Sequence, residues 1–121
     1  MLKLPESFVV DRKTWLRGSL SAELLTTDGT RCCVGFLAKE MGVSDDDMRH
    51  CQVLHEVIED AESSLPGPLR SPSMVVGNDN IYVANDDHQV SDTAREARLT
   101  ELFAAIGIEV RFEGEGNPVS L

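Results

Sequence analysis

Apolar and polar positions alternate along this chain in several distinct periods, and each period predicts an element. The clearest lies near the C-terminus. Leu99, Leu102, Phe103 and Ile106 recur at three- and four-residue spacing, which puts them on one helical face. Ser91 stands where a helix N-cap belongs and Gly107 where a helix stops, so a helix is predicted over 92–106, with Arg95, Glu96 and Glu101 on its outer side. Ile108-Glu109-Val110-Arg111-Phe112 then alternates with the period of a half-buried strand, 108–112.

Cys33, Phe36, Leu37 and Met41 repeat the helical period, predicting a helix from Thr30 or Arg31 to Met41 that ends at Gly42. Gly35 within it suits a close approach between helix and neighbour. Ser44 followed by Asp47 reads as a capping pair, and Asp45 and Asp46 favour a helix N-terminus through the macrodipole, giving a short helix over 45–50. Val53, Leu54, Val57 and Ile58 continue helical spacing to about Ser63. Pro66-Gly67-Pro68 breaks the chain, and 64–72 is expected to be a mobile loop.

Shorter signals complete the reading. Asp11 caps a predicted short helix over 12–17, with Trp15 and Leu16 inward and Gly18 just past its end. Leu24 to Thr27 reads as a strand leading into an Asp28-Gly29 turn. Met74-Val75-Val76 and Ile81-Tyr82-Val83 flank Gly77-Asn78-Asp79-Asn80, the pattern of a hairpin. The tail 114–121 is expected to be flexible. These elements predict one α+β domain over 1–121, with three to four helices and a small β-sheet. Strand 81–84, helix 92–106 and strand 108–112 are its expected nucleus.

Composition supports a globular chain. Its 121 residues are 41% hydrophobic and 26% charged, which is far from the disordered class. A chain of this length buries roughly two-thirds of its unfolded surface and needs no disulfide or metal to fold. No apolar run approaches the ~20 residues that span a bilayer, and no signal peptide is evident, so a cytoplasmic protein without membrane contact is expected. The odd cysteine count, with Cys32 and Cys33 adjacent and Cys51 apart, suits reduced thiols.

Charge changes the picture most. The net charge is −10, which argues against direct nucleic-acid binding. Residues 1–39 hold six basic and four acidic side chains, whereas 40–121 hold five basic and 17 acidic ones. Asp45, Asp46, Asp47, Glu56, Glu59, Asp60 and Glu62 concentrate the acid over a short stretch. Solubility accounts for such a face; so does a basic partner that it steers into contact.

Four groups of patterns bear a resemblance. They are Val10-Asp11-Arg12-Lys13-Thr14-Trp15-Leu16-Arg17-Gly18, Asp28-Gly29-Thr30-Arg31-Cys32-Cys33-Val34-Gly35-Phe36-Leu37, Asn85-Asp86-Asp87, and Arg95-Glu96-Ala97 leading into Leu102-Phe103 and Gly107-Ile108-Glu109-Val110. Together they resemble small acidic proteins encoded by tailed bacteriophages and prophages. The resemblance implies a bacterial cytoplasmic setting and carries over no catalytic residue. Proteins of that kind include inhibitors of host enzymes and defence systems.

Three other chemistries compete with that reading. Cys32 or Cys33 near a helix N-terminus, with His50, His55 or His88, would make a small thiol-dependent enzyme, most simply through Cys33. Cys32, Cys33, His50, Cys51 and His55 are zinc-type ligands, but only Cys51 and His55 have a usable spacing, and no metal or other cofactor is expected. Asp86-Asp87-His88, within Asn78 to His88, could serve a small-ligand-binding module. Asp45-Asp46-Asp47 could bind a divalent cation but lacks the Asp-x-Asp-x-Asp-Gly calcium loop, and both Asp runs also suit plain helix starts and caps. The leading expectation is a small phage-type accessory protein, more a binder than an enzyme, that inhibits a host protein with a basic surface, such as one of anti-phage defence, through the acidic residues named above.

Overall fold

The computed structural model describes residues 4–18, 23–54, 67–69, 80–87 and 89–114. Its two strands, β1 (Ser7–Asp11) and β2 (Glu109–Glu113), lie at opposite ends of the described chain yet pair directly. They run parallel, with Ser7 opposite Glu109 and Asp11 opposite Glu113. Between them come α1 (Cys33–Glu40), α2 (Asp45–Met48), a 3-10 turn (Gly67–Leu69), α3 (Ile81–Asp86) and α4 (Asp92–Ala104). The arrangement is α+β, with four helices and a small sheet among the described residues, as the patterning predicts.

Helix α4 forms where its local signals place it. Ser91 Oγ accepts from Ala94 N at 3.1 Å, and Asp92 sits in the positive first turn. Past its end the chain reverses through Gly107, whose φ of +81° is open to glycine at little cost. Leu99, Leu102 and Phe103 are buried and Ile106 is partly so. The stripe meets β1: Phe8 and Val10 point inward, and the Phe8 ring stands edge-on to Phe103 at 5.0 Å. Val110 of β2 closes the same core.

The outer side of α4 differs from its expectation. Arg95 is only 4% exposed. Its guanidinium donates to Asp92 and to the backbone oxygens of Asp87 and Val90, so it ties the start of α4 to the chain that precedes it. Glu96 accepts from Arg12 through two bonds, at 2.8 and 2.9 Å, which anchors the turn after β1.

That turn replaces the helix predicted over 12–17. Asp11 Oδ1 accepts from Lys13 N and Asp11 O accepts from Thr14 N, so the residue expected to cap a helix instead closes a turn at the end of β1. Trp15 then pairs with Arg31 as an isolated parallel bridge. Gly18 does adopt the left-handed conformation, at φ +65°. The strand predicted over 24–27 reduces to one bridge, Leu25 with Arg49. Its turn is present, with Gly29 at φ +90° and Thr26 N donating to Thr30 O.

Helix α1 starts at Cys33, two or three residues later than expected, because the Arg31 backbone is spent on the Trp15 bridge. Gly42, at φ +96°, ends it. Gly35 lies against the preceding chain so closely that a Cβ there would fall 2.0 Å from Leu24 O.

The largest correction concerns 81–83, predicted as a hairpin strand and found as the first turn of α3. Asn80 caps that helix, its Oδ1 accepting from Val83 N at 3.1 Å. Ile81, Tyr82 and Asn85 are buried on one helical face. A three-residue apolar run fits a strand or a helix equally well, and the cap decides. Residues 74–76 and 55–63, predicted as strand and helix, lie outside the described residues, as do 115–121 and most of the 64–72 loop.

Candidate functional site

The acidic site predicted from sequence begins on α2, and local chemistry builds that helix firmly. Ser44 Oγ accepts from Asp47 N at 3.2 Å. Three aspartates fill the first turn, where unpaired N–H groups and the helix dipole favour negative charge. Met48 is fully buried and pins the helix to the core. The carboxylates are thereby held outward.

Asp46 is 92% exposed at its side chain, with Arg49 Nη1 at 2.9 Å. Asp45 is half-exposed and lies 3.4 Å from Arg31. Asp47 is exposed and has no ion pair among the described residues. The structure thus brings Asp45, Asp46 and Asp47 together on one short exposed helix. Glu56, Glu59, Asp60 and Glu62 lie outside the described residues.

The thiols occupy a different environment. Cys33 is fully buried and Cys32 nearly so, and none of the three cysteines forms a disulfide. Burial pushes the Cys32 thiol up to about 12 and the Cys33 thiol well above its ordinary range; the charges of neighbouring groups, Asp86 among them, add to both shifts. These shifts oppose a thiolate. His50 engages other groups, with Nδ1 3.1 Å from Glu23 and Nε2 3.2 Å from Thr27 Oγ1. His55 and His88 lie outside the described residues. The partly exposed Cys51 donates its Sγ–H to Asp47 O at 3.4 Å. Among the described residues no group of three or more His, Cys, Asp or Glu side chains could hold a metal ion.

Asp86 and Asp87 follow the bland expectation for a helix boundary. Asp86 accepts from Asn85 Nδ2, and Asp87 Oδ1 accepts from Gln89 N in the turn that leads to α4. The polar residue of this region that matters most is Asn85, which the sequence analysis names within a pattern but gives no structural role. It is 1% exposed. Its Oδ1 accepts from Trp15 Nε1 at 2.7 Å and from Cys33 N at 3.1 Å, and its Nδ2 donates to Leu16 O at 3.0 Å. The available signal was its place four residues after Ile81, on the apolar face of a capped helix.

Arg31 was also missed. It is buried between α2 and a cleft that α1 and β1 form, and its partners come from segments far apart in sequence. No family model matches this chain, and neither does any curated protein or solved structure. No helix among the described residues is long and apolar enough to cross a membrane.

Proposed function

We propose that this chain is a phage-type accessory protein that binds and inhibits a host protein through an acidic surface centred on α2. The observation that supports it best is the presentation of Asp45, Asp46 and Asp47: capped by Ser44, anchored by Met48 and turned to solvent. A preset cluster of charge steers a basic partner with little ordering cost at contact. Between residues 40 and 62 the sequence carries eight acidic side chains against the single basic Arg49, so the stretch of chain that holds α2 is strongly acidic. The resemblance to small acidic phage proteins points to a host target, with proteins of anti-phage defence the first candidates. The burial of Cys32 and Cys33 favours binding over thiol catalysis.

The test is capture of a stoichiometric partner from bacterial lysate, followed by association kinetics across a salt series. Association should slow as salt shortens the Debye length, about 8 Å at physiological ionic strength. Charge reversal at Asp46, Glu59 and Glu62 together should slow it further while the fold stays intact. Salt-independent association, with full inhibition by the folded triple variant, would show that the contact is apolar and lies elsewhere.

A further inference from the structure

A cleft of about 650 Å³ runs between β1 and α1, on a part of the molecule that the acidic-surface reading does not use. Its volume is in the range of sites that enclose a ligand or a short segment of chain. One wall is β1, through Ser7, Phe8, Val9 and Asp11, and the other is α1, through Phe36, Lys39 and Glu40. Arg31 and Arg111 complete its charged lining.

Among the described residues, the β1 wall is a sheet edge with no second neighbour. In a parallel ladder alternate residues of a strand bond to one neighbour. Glu109 N donates to Glu6 O and Arg12 N donates to Glu113 O, so the even-numbered residues of β1 face β2. The backbone N–H and C=O groups of Ser7 and Val9 therefore point the other way, and no described residue bonds to them. An edge of Ser-Phe-Val-Val sequence, without a proline, lysine or bulge to blunt it, is a template for another strand.

The charge in the cleft runs opposite to that of the chain. Arg31, Lys39 and Arg111 outnumber Asp11 and Glu40 there, in a protein of net charge −10. Arg31 is the informative one. Its side chain is only 9% exposed, and its guanidinium meets a thioether, Met48 Sδ at 3.4 Å, the face of Phe36 at 5.7 Å, and a single carboxylate oxygen, Asp45 Oδ1, at 3.4 Å. A thioether is a weak acceptor, and one carboxylate oxygen at that distance leaves the bidentate capacity of the fork unused. Lys39 has no ion pair among the described residues, and Arg111 has only Glu109, at 4.0 Å.

We propose that the cleft binds an acidic peptide segment in extended conformation, added as a third strand along the open edge of β1, with its carboxylates on Arg31, Lys39 and Arg111. Main-chain bonds to Ser7 and Val9 supply the ladder, and the cations select acidic side chains. The two surfaces meet at the Arg31–Asp45 pair, but a basic partner on Asp46 and Asp47 requires neither the β1 edge nor Lys39 nor Arg111, so changes at those residues test this proposal alone.

The experiment uses the full chain and a fluorescein-labelled peptide of alternating Val and Glu, about the length of β1, read by anisotropy. The peptide should bind saturably, and the matching Val/Lys peptide should not. The exposed double reversal K39E/R111E should weaken binding by about tenfold or more. N-methylation of alternate peptide amides, which removes the ladder donors and leaves the charges, should abolish it. Undiminished binding of the N-methylated peptide overturns strand addition. Equal binding of the Val/Lys peptide, or no effect of the double reversal in a protein with an unchanged melting profile, overturns the acidic preference.

Discussion

Trp15 Nε1 donates a 2.7 Å hydrogen bond to Asn85 Oδ1, joining the segment after β1 to α3 across 70 residues. Both residues are buried, and the same oxygen also accepts from Cys33 N at the start of α1. One amide thus fixes three segments that share no local sequence signal. The Arg17 guanidinium lies 4.7 Å above the Trp15 ring, and the Phe112 ring lies 4.9 Å from it, so the indole is held on its faces as well as at its nitrogen.

Asn85→Ala leaves the buried indole N–H and Cys33 N–H, and the partly buried Leu16 carbonyl, without their partner. The expected loss is about 2–4 kcal/mol in denaturant unfolding. A double-mutant cycle with Trp15→Phe should show a coupling of about 1 kcal/mol or more. Additive effects would mean that the bond contributes nothing beyond packing.

Phe103 is fully buried and meets Phe8 edge-on. Phe103→Ala removes a large core side chain from the contact between α4 and β1 and should cost about 3–5 kcal/mol. A loss below about 1 kcal/mol, measured by the same unfolding assay, would contradict the packing described.

Gly35→Ala tests the close approach of α1 to the preceding chain. The added methyl would meet backbone, Leu24 O at 2.0 Å, and a rotamer change cannot relieve that. Destabilisation of at least about 3 kcal/mol is expected, although alanine is the better helix former. A neutral substitution would place Leu24 elsewhere.

The thiols give a pH prediction. Burial raises the Cys32 thiol from its ordinary 9.0 to about 12, and Cys33 moves the same way. Above pH 9 the unfolded chain therefore releases protons that the folded chain retains. Stability from this source is complete below pH 9 and declines as the pH rises towards 12. Chemical denaturation across that interval should show the decline, and it should shrink in the Cys32→Ala/Cys33→Ala protein. A thiol reagent at neutral pH should label Cys51 first, with Cys32 and Cys33 reacting only on unfolding. Rapid labelling of native Cys33 would revive the thiol-enzyme reading.

Part of the candidate site was legible in sequence because its causes are local. Ser44 and Asp47 are three residues apart, and their bond requires only the first turn of α2. Asp45 and Asp46 sit beside that cap, so their exposure follows from the same turn. The cleft was not legible, since Ser7, the Arg31–Lys39 stretch and Arg111 come from three separate parts of the chain. Nothing in the neighbourhood of Arg31 announces that it is buried; only the bridge to Trp15 and the burial of Met48 beneath α2 put it there.

The sequence by itself determined α4, the α1 helix with its glycine stop, the capped α2 and the turn at Gly29. In each, the deciding interaction lies within one or two helical turns: a side-chain oxygen on a free N–H, a glycine at positive φ, or an apolar repeat every three or four residues. Tertiary structure decided the rest. Phe8-Val9-Val10 and Ile81-Tyr82-Val83 are equivalent short apolar runs; the first becomes a strand because β2 lies alongside it from the far end of the chain, and the second a helix with Asn80 as its cap and Asn85 facing the core. Arg12 looks like a surface charge until Glu96, 84 residues away, is placed beside it, and Arg17 until Asp92 is. Such pairings depend on which distant segments meet, and that is set by the burial of the whole core, not by any residue's immediate neighbours.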